Sequence, residues 1–495
     1  MILEILIFLL TTIICYYLYS YKKLHWYFEE RGVKYLPGIP LFGNMLGSTF
    51  LRRHFLDELQ DSYDAFPDEK YVGFFELTMP ILLIRDPEII KSIIVKDFDH
   101  FTDHREFFGE ETDPLFGGSL VLMKGEKWRD MRATLSPTFT ATKMKCMLPF
   151  IEEITNNILE YLNEHHNEEI DVDDLMRRYT NDVIASAGFG LQVNSLKDRD
   201  NEFYKIGNSI FNFTFRQQML MMFNTQFPEA TKKLGMRLFS DKVYNFFSNI
   251  VAATIEHRKK EKVERPDMIQ LMMESKKEWT PIDLAAQVFI FFTAGFETSA
   301  SALVMTIHEL ALNQDIQDKL YQECRNFKEK KELTFDNMIE LKYLDCVINE
   351  SLRIWCPAVI FDRTCTKCYE IPPPREGAQP YVMKPGDVLY NLVNQVQLDP
   401  KNWPEPHKFD PDRFSEENKH KIKPFTFMPF GIGPRGCIGM RFAIMELKVL
   451  MYHLILNFKI VKTEKTKEQI KLAPSSFSIK ALGGTFVKFE KRLPN

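Results

Sequence analysis

The chain has 495 residues, of which 45% are hydrophobic, so it can enclose a large apolar core. Its formal net charge of −5 at pH 7 gives no indication of nucleic acid as a partner. The eight cysteines are mostly far apart, which is typical of reduced thiols in a protein that faces the cytosol, and we interpret the close pair Cys365 and Cys368 as structural.

Residues 1–21 predict a membrane anchor, because they are dominated by apolar side chains and carry one charge, Glu4. About 20 such residues cross the hydrocarbon core of a bilayer as a helix. Lys22 and Lys23 follow directly, and by the positive-inside rule they hold the rest of the chain in the cytoplasm. A buried hydrophobic helix is the alternative interpretation.

A short proline-containing run, Pro37-Gly38-Ile39-Pro40, cannot continue a helix. We therefore expect residues 22–45 to form a basic and proline-rich hinge. No linker or repeat interrupts the remaining chain, so residues 46–495 are predicted to form a single domain.

The body of the chain is predicted to be mainly α with a small β portion. Extended segments occur near its two ends, at 71–77, 81–84, 477–479 and 485–489. Between them, apolar residues recur at three-to-four spacing and predict helices at 152–162, 247–262, 281–313, 316–327 and 335–355.

The helix predicted from residue 281 carries polar residues in its middle. Thr280 is a suitable N-cap for it. Gly295 inside a helix costs roughly 1 kcal/mol relative to alanine, and its lack of a side chain leaves room for a small molecule. Thr298 follows Ala294 by one turn and is expected to bond back to the Ala294 carbonyl. Glu297 and Thr298 then place an acid beside a hydroxyl.

The run Phe430-Gly431-Ile432-Gly433-Pro434-Arg435-Gly436-Cys437-Ile438-Gly439 places a cysteine in a glycine-rich loop just before an apolar helix. The positive end of that helix and the neighbouring arginine are expected to lower the pKa of the Cys437 thiol. This arrangement is suited to presenting a thiolate to iron.

This loop resembles the haem-ligand loop of the cytochrome P-450 family, and the resemblance extends over nearly the whole chain. It implies the triangular, prism-like cytochrome P-450 fold behind one N-terminal transmembrane helix. It also implies that the Cys437 thiolate is the axial ligand of the iron of haem b. The other loop residues that match the family are Phe430, Gly433, Arg435 and Gly439.

The resemblance assigns further roles by position. Glu297 and Thr298 would deliver the protons that oxygen activation consumes, beside the groove at Ala294 and Gly295. The residues implied to bind the haem propionates are Trp128, Arg132, Arg363 and Arg435. A buried network of Glu350, Arg353 and Arg413 would fix the cysteine loop. The sequence departs from the family after Arg353, where a run from Trp355 to Ala358 replaces the usual proline pair.

The chain is most similar to insect microsomal members of the xenobiotic-metabolising branch, including in the runs 101–105 and 265–268. This implies a membrane-bound monooxygenase of the endoplasmic reticulum that acts on lipophilic substrates. Electrons from NADPH would arrive through NADPH-cytochrome P-450 reductase, with cytochrome b5 as a further expected partner. The residues expected to line the substrate pocket are Phe107, Phe108, Phe116, Leu120, Val121, Phe291, Val359, Phe361 and Phe477.

A basic surface is the expected docking face for an acidic reductase, and it comprises Lys124, Lys127, Arg129, Lys143 and Lys145. Two other functions stay open from the sequence. One is a haem-thiolate isomerase or dehydratase that needs neither O₂ nor a reductase, although such enzymes generally lack the acid–alcohol pair. The other is a non-enzymatic haem sensor.

Overall fold

The computed structural model describes residues 2–212, 214–262, 267–275, 277–476 and 478–492. Its α-helices are α1 (Ile2–Trp26), α2 (Leu46–Thr49), α3 (Phe55–Asp64), α4 (Pro87–Lys91), α5 (Pro114–Gly117), α6 (Gly125–Leu135), α7 (Ala141–Glu164), α8 (Val172–Val183), α9 (Glu202–Phe211), α10 (Phe215–Gln226), α11 (Pro228–Lys233), α12 (Asp241–Glu261), α13 (Met268–Met273), α14 (Pro281–Leu312), α15 (Gln314–Lys328), α16 (Lys342–Ile354), α17 (Val393–Leu398) and α18 (Met440–Asn457). Its strands are β1 (Tyr71–Glu76), β2 (Met79–Ile84), β3 (Glu169–Asp171), β4 (Phe361–Thr364), β5 (Tyr369–Ile371), β6 (Tyr381–Met383), β7 (Val388–Asn391), β8 (Phe458–Lys462) and β9 (Phe486–Lys491). The chain is therefore mainly α-helical with a small β portion, as predicted.

Helix α1 contains the predicted anchor. Its apolar segment Glu4–Lys22 has a mean hydropathy of 1.5 and is only 6% buried, so it stands clear of the rest of the protein as a candidate membrane span. The helix continues to Trp26, past the boundary predicted at residue 21. Helix α14 is also long and apolar enough to cross a membrane, but 72% of its apolar window is buried, which makes it a core helix.

The strands form three small sheets. The largest has the order β1-β2-β7-β4, in which β2 and β7 are parallel and the other pairs are antiparallel. Strand β4 was not predicted from the sequence, and it carries Phe361 and Arg363 into this sheet. The remaining sheets are β3-β9-β8 and β5-β6.

Helix α14 runs through the centre of the molecule. Its buried residues pack against α8 and α12 along one side and against α16 and α18 along another. Because most of the helix is buried against other elements, its sequence is apolar almost throughout. In its middle Glu297 is buried, whereas Ala294 and Thr298 are exposed to an open space beside the helix.

Several predicted elements differ from the structure. The helices expected at 152–162 and 247–262 begin earlier, at Ala141 and Asp241. The helix expected at 335–355 begins only at Lys342, because the Thr334 N–H donates to Asn337 Oδ1 at 2.7 Å and closes a local turn before it. The prediction of a strand at 477–479 is wrong, because Ser478 and Ile479 do not belong to a strand. Phe477 is not among the described residues.

Candidate active site

The cysteine loop is a tight turn that leads into α18. The Cys437 N–H donates to the Phe430 carbonyl at 2.8 Å, which closes the loop on itself. Gly431 and Gly433 have φ angles of +66° and +80°, in the left-handed region that favours glycine. A Cβ at Gly433 would lie 2.3 Å from the Ile94 carbonyl oxygen, so no other residue fits there without displacing backbone.

Two adjoining cavities of about 210 and 290 Å³ meet at Cys437, and we call them together the thiol cavity. Ala294, Gly295 and Thr298 of α14 line it together with Cys437. The structure therefore brings the cysteine and the middle of the long helix to one space, as the sequence predicted.

The predicted lowering of the thiol pKa is wrong for the free thiol. The protein atoms around the sulfur raise the pKa of Cys437, although the residue is exposed to the thiol cavity, and this effect outweighs the backbone N–H groups of Gly439 and Met440 and the charge of Arg132, which lower it. Sequence patterns report the helix and the arginine but not the atoms that the fold packs around the sulfur. A thiol that coordinates a metal ion is deprotonated outright, so a metal would supply the missing stabilisation.

Three guanidinium groups converge at one edge of the thiol cavity. Arg132 and Arg435 line it, and the charge of Arg363 acts on Arg435. Burial and the positive charge of Arg363 lower the pKa of Arg435 to about 9. The Arg435 guanidinium lies 3.9 Å from the ring centre of Trp128. The cluster is therefore a strongly electropositive site next to an apolar space.

Arg363 shows that this cluster is incomplete without an anion. Its side chain is 3% exposed, and its Nε has no hydrogen-bond partner. Asp362, the acid beside it, accepts from His104 and from the Arg105 N–H. Arg363 Nη1 donates to the Asp362 carbonyl at 2.6 Å, so the unsatisfied Nε is the part of the buried group that an added acceptor would pair. A flat apolar ligand that carries two carboxylates, as haem does, fits both the arginines and the cavity.

His104 is a cavity residue that the sequence analysis did not single out. Its Nδ1 lies 2.9 Å from Asp362 Oδ1, and the Arg363 guanidinium approaches the same ring at 3.2 Å. Burial lowers the pKa of His104. The only sequence signal was its place in the run 101–105, which resembles the family without indicating a role.

The start of α14 and the back-bond of Thr298 in its middle are as predicted. Thr280 and Asp283 form a reciprocal capping box, and Thr298 Oγ1 donates to the Ala294 carbonyl at 2.6 Å. Gly295 lines the thiol cavity, but a Cβ there would lie 3.0 Å from Ile184 Cδ1. The missing side chain thus lets the helix approach Ile184 as well as leaving space for a ligand.

Glu297 does not share the cavity with Thr298. Its carboxylate is 2% exposed and binds Nε and Nη2 of Arg177 at 3.2 and 2.8 Å. The Ser478 hydroxyl donates to it as well. The structure therefore places the acid of the predicted pair in an ion pair with α8, on a different side of α14 from the hydroxyl.

The predicted network behind the loop is present. Glu350 binds Nε and Nη2 of Arg353 at 2.7 and 2.8 Å, and both side chains are 0% exposed. Arg413 Nε lies 3.3 Å from the same carboxylate. Arg353 also donates to the carbonyls of Gln397 and Pro406, so the network ties α16 to the segment that precedes the cysteine loop.

The predicted substrate residues divide between two spaces. An outer cavity of about 350 Å³ is lined by Phe107, Phe116, Val121 and Val359. The thiol cavity is lined by Leu120, Val121, Phe291 and Phe361. Phe108 was assigned wrongly: it is 2% exposed, packs in the apolar core, and lines neither space. Phe477 lies outside the described residues.

The predicted basic surface is largely paired with acids. Lys127 lies 2.8 Å from Glu110 and 3.0 Å from Asp283, and Lys145 lies 2.8 Å from Asp336. Lys124 and Arg129 also pair with glutamates. These contacts reduce the bare positive charge that a docking partner would meet.

Comparison with known proteins agrees with this site. The sequence model of the family described as Cytochrome P450 matches residues 33–486. The chain belongs to the cytochrome P-450 family. Probable cytochrome P450 9f2 of Drosophila melanogaster is 40% identical, with 94% of this chain and 95% of the relative aligned. Cytochrome P450 9e2 of Blattella germanica is 38% identical over 94% of both, and cytochrome P450 6j1 of Blattella germanica is 33% identical over 97% and 96%.

Membership in the cytochrome P-450 family explains why Cys437, the arginines and the middle of α14 meet at one cavity. This cytochrome P-450 is a monooxygenase of the oxidoreductase class with a haem iron, and its relatives are insect proteins. The cavity that joins Cys437 to α14, with Arg132 and Arg435 in its lining, is the place in the structure that fits that group.

Proposed function

We propose that this cytochrome P-450 inserts one oxygen atom of O₂ into lipophilic substrates, xenobiotics such as plant toxins or insecticides. NADPH-cytochrome P-450 reductase supplies the electrons, with cytochrome b5 as a second donor. Helix α1 anchors the enzyme in the endoplasmic reticulum membrane, and the catalytic domain faces the cytoplasm. The observation that carries the proposal is that Cys437 and Thr298 line one cavity, whose edge holds the guanidinium groups of Arg132 and Arg435.

The chain's own residues bind and orient the cofactor. Cys437 is the group that ligates the iron, and Arg132, Arg363 and Arg435 are the cations that hold the two carboxylates. Arg363 Nε is unsatisfied in the protein alone, so pairing with a carboxylate removes the cost of burying it. Haem b, when bound, supplies the iron at which O₂ is reduced and split.

Thr298 is the residue that handles a proton inside the thiol cavity. Its hydroxyl donates to the Ala294 carbonyl at 2.6 Å and keeps its lone pairs free to accept a proton donor from the cavity side. Ala294 and Gly295 add no side-chain polar group on the preceding turn, whereas Ser299 lines the same cavity beside it. The Thr298 hydroxyl therefore offers a positioned proton-transfer site in the cavity.

The lining of both spaces supports lipophilic substrates. Phe116, Val121 and Val359 form much of the outer wall, and apolar contacts discriminate among similar ligands by only about 1 to 3 kcal/mol per group. Such a pocket accepts a range of apolar molecules, which suits xenobiotic metabolism.

Spectroscopy of a cysteine variant tests the proposal. The reduced, CO-bound wild-type protein should show a thiolate-type Soret band, and Cys437→His should lose it. Purified enzyme with reductase should also consume NADPH in the presence of O₂. A band that survives in Cys437→His would remove the iron-ligand assignment.

The two alternatives predict different results. An isomerase would turn over a fatty acid hydroperoxide without NADPH, and a sensor would bind CO but never consume NADPH with reductase. The hydroxyl of Thr298 in the cavity favours the monooxygenase over both. Alkaline extraction of membranes tests the anchor separately, since release of the protein would contradict a spanning α1.

A further inference from the structure

The segment between α5 and α6 forms part of the wall of both substrate spaces. We call residues 118–123 the strap. Val121 of the strap lines the outer cavity and the thiol cavity, and Leu120 lines the thiol cavity. The strap has no helix or strand structure of its own, and its internal turn is closed by the Leu122 and Met123 N–H groups on the Ser119 carbonyl. The placement of that turn against the cavities depends on contacts from elsewhere in the fold.

A single buried amide of α14 holds the strap. Gln287 is 0% exposed, and its Oε1 accepts the Leu120 N–H at 2.8 Å. Its Nε2 donates to the Gly118 carbonyl at 2.9 Å and to the Asp283 carbonyl at 3.2 Å. One side chain therefore satisfies both a donor and an acceptor of the strap while it is fixed to its own helix.

The strap is also tightly confined. A Cβ at Gly118 would lie 2.5 Å from the Pro114 carbonyl oxygen and 3.5 Å from Ala286 Cβ, so the strap presses directly on α14. On the opposite side, Arg435 donates to the carbonyls of Leu120 and Met123 at 3.3 and 2.8 Å. The Leu120 residue is thus held through its N–H by α14 and through its carbonyl by the cysteine loop.

We propose that Gln287 is a positioning residue for substrate selection, which acts by fixing Leu120 and Val121 at the boundary of the two cavities. The inference rests on the proposed function, because it assumes that ligands of the haem iron occupy the thiol cavity. Gln287 lines neither cavity itself, so its effect on a ligand passes through the strap. A ligand large enough to contact the strap depends on Gln287, and a small ligand of the iron does not.

Two iron ligands of different size test this directly. In the haem-loaded, full-length protein, Gln287→Met keeps the length of the side chain and removes all of its hydrogen bonds. Spectral titration measures the Kd of imidazole and of 1-phenylimidazole. We expect the Kd of 1-phenylimidazole to rise roughly tenfold, as the loss of one to two buried hydrogen bonds would produce, while the Kd of imidazole stays unchanged.

Gln317 is a matched control. It is also 0% exposed, and it donates to the Leu310 and Ile460 carbonyls at 2.8 Å and accepts the Ile460 N–H at 2.8 Å, far from both cavities. Gln317→Met should lower thermal stability to a similar extent and leave the ratio of the two Kd values as in wild type. A ratio unchanged in Gln287→Met, or shifted equally in Gln317→Met, would overturn the proposal. Failure of the proposed function shows separately, as a wild-type protein without a thiolate-type CO band.

Discussion

Replacing Glu350 with alanine tests how far the fold around the cysteine loop depends on one buried carboxylate. The carboxylate binds Arg353 through two nitrogens, lies 3.3 Å from Arg413 Nε, and accepts the Asp410 N–H at 2.9 Å. In Glu350→Ala the Arg353 charge stays fully buried, with the carbonyls of Gln397 and Pro406 as its remaining partners. Those carbonyls solvate the guanidinium but do not neutralise it.

Removing one partner of a buried ion pair costs about 3 to 5 kcal/mol of the free energy of unfolding. Urea unfolding of the haem-loaded protein, followed by circular dichroism, measures that loss, and the Soret absorbance reports haem retention. We expect Glu350→Ala to shift the midpoint strongly and to release haem earlier than wild type, because the network ties α16 to the segment before the loop.

A pair with the same chemistry at the surface provides the control. Glu126 and Arg129 also lie three residues apart on a helix, at 2.6 Å, but their side chains are 78% and 48% exposed. Glu126→Ala should change the free energy of unfolding by less than about 1 kcal/mol. If Glu350→Ala is no more destabilising than Glu126→Ala, burial does not determine how much this network contributes to the free energy of unfolding.

Three further changes test other parts of the site. Burial raises the pKa of Glu446 to about 8 from an ordinary value of 4.5, so between these pH values the carboxyl ionises in the unfolded chain but not in the folded one. The free energy of unfolding therefore falls as the pH rises through this range. Thermal unfolding at pH 5, 7 and 9 should show Glu446→Gln gaining on wild type with pH, and a constant difference would contradict this. Thr298→Val should lower the product formed per NADPH consumed and raise the hydrogen peroxide released, whereas Thr298→Ser should stay near wild type. An equal yield of product per NADPH in all three proteins would argue against a proton role for Thr298. Arg363→Gln should retain less haem than wild type after gel filtration, since one cation for the carboxylates is gone, while Arg129→Gln at the surface should retain it fully.

Local signals predicted the parts of the site that depend on neighbouring residues. The capping box of Thr280 and the back-bond of Thr298 each involve residues within four positions of one another, and the turn before α18 is closed by residues seven positions apart, so their sequence pattern and their geometry coincide. The position of Cys437 opposite α14 came from the family resemblance, since nothing in the spacing alone joins segments so far apart in the chain.

Long-range packing decided what the sequence could not predict. Arg177 lies 120 residues before Glu297, and neither residue's neighbours indicate that they pair. Phe107 and Phe108 are adjacent and of the same residue type, yet Phe108 packs in the core and Phe107 lines the outer cavity. The raised pKa of Cys437 likewise follows from the protein atoms around the sulfur, whose packing is a property of the assembled fold.

The separation of Glu297 from Thr298 changes how the acid–alcohol pair is understood. Successive residues of an α-helix point about 100° apart, so two neighbours can meet different surroundings. Here the hydroxyl faces Cys437, and the carboxylate is held by Arg177 and Ser478. Glu297 therefore joins α14 to α8, and Thr298 is the member of the pair that lines the thiol cavity.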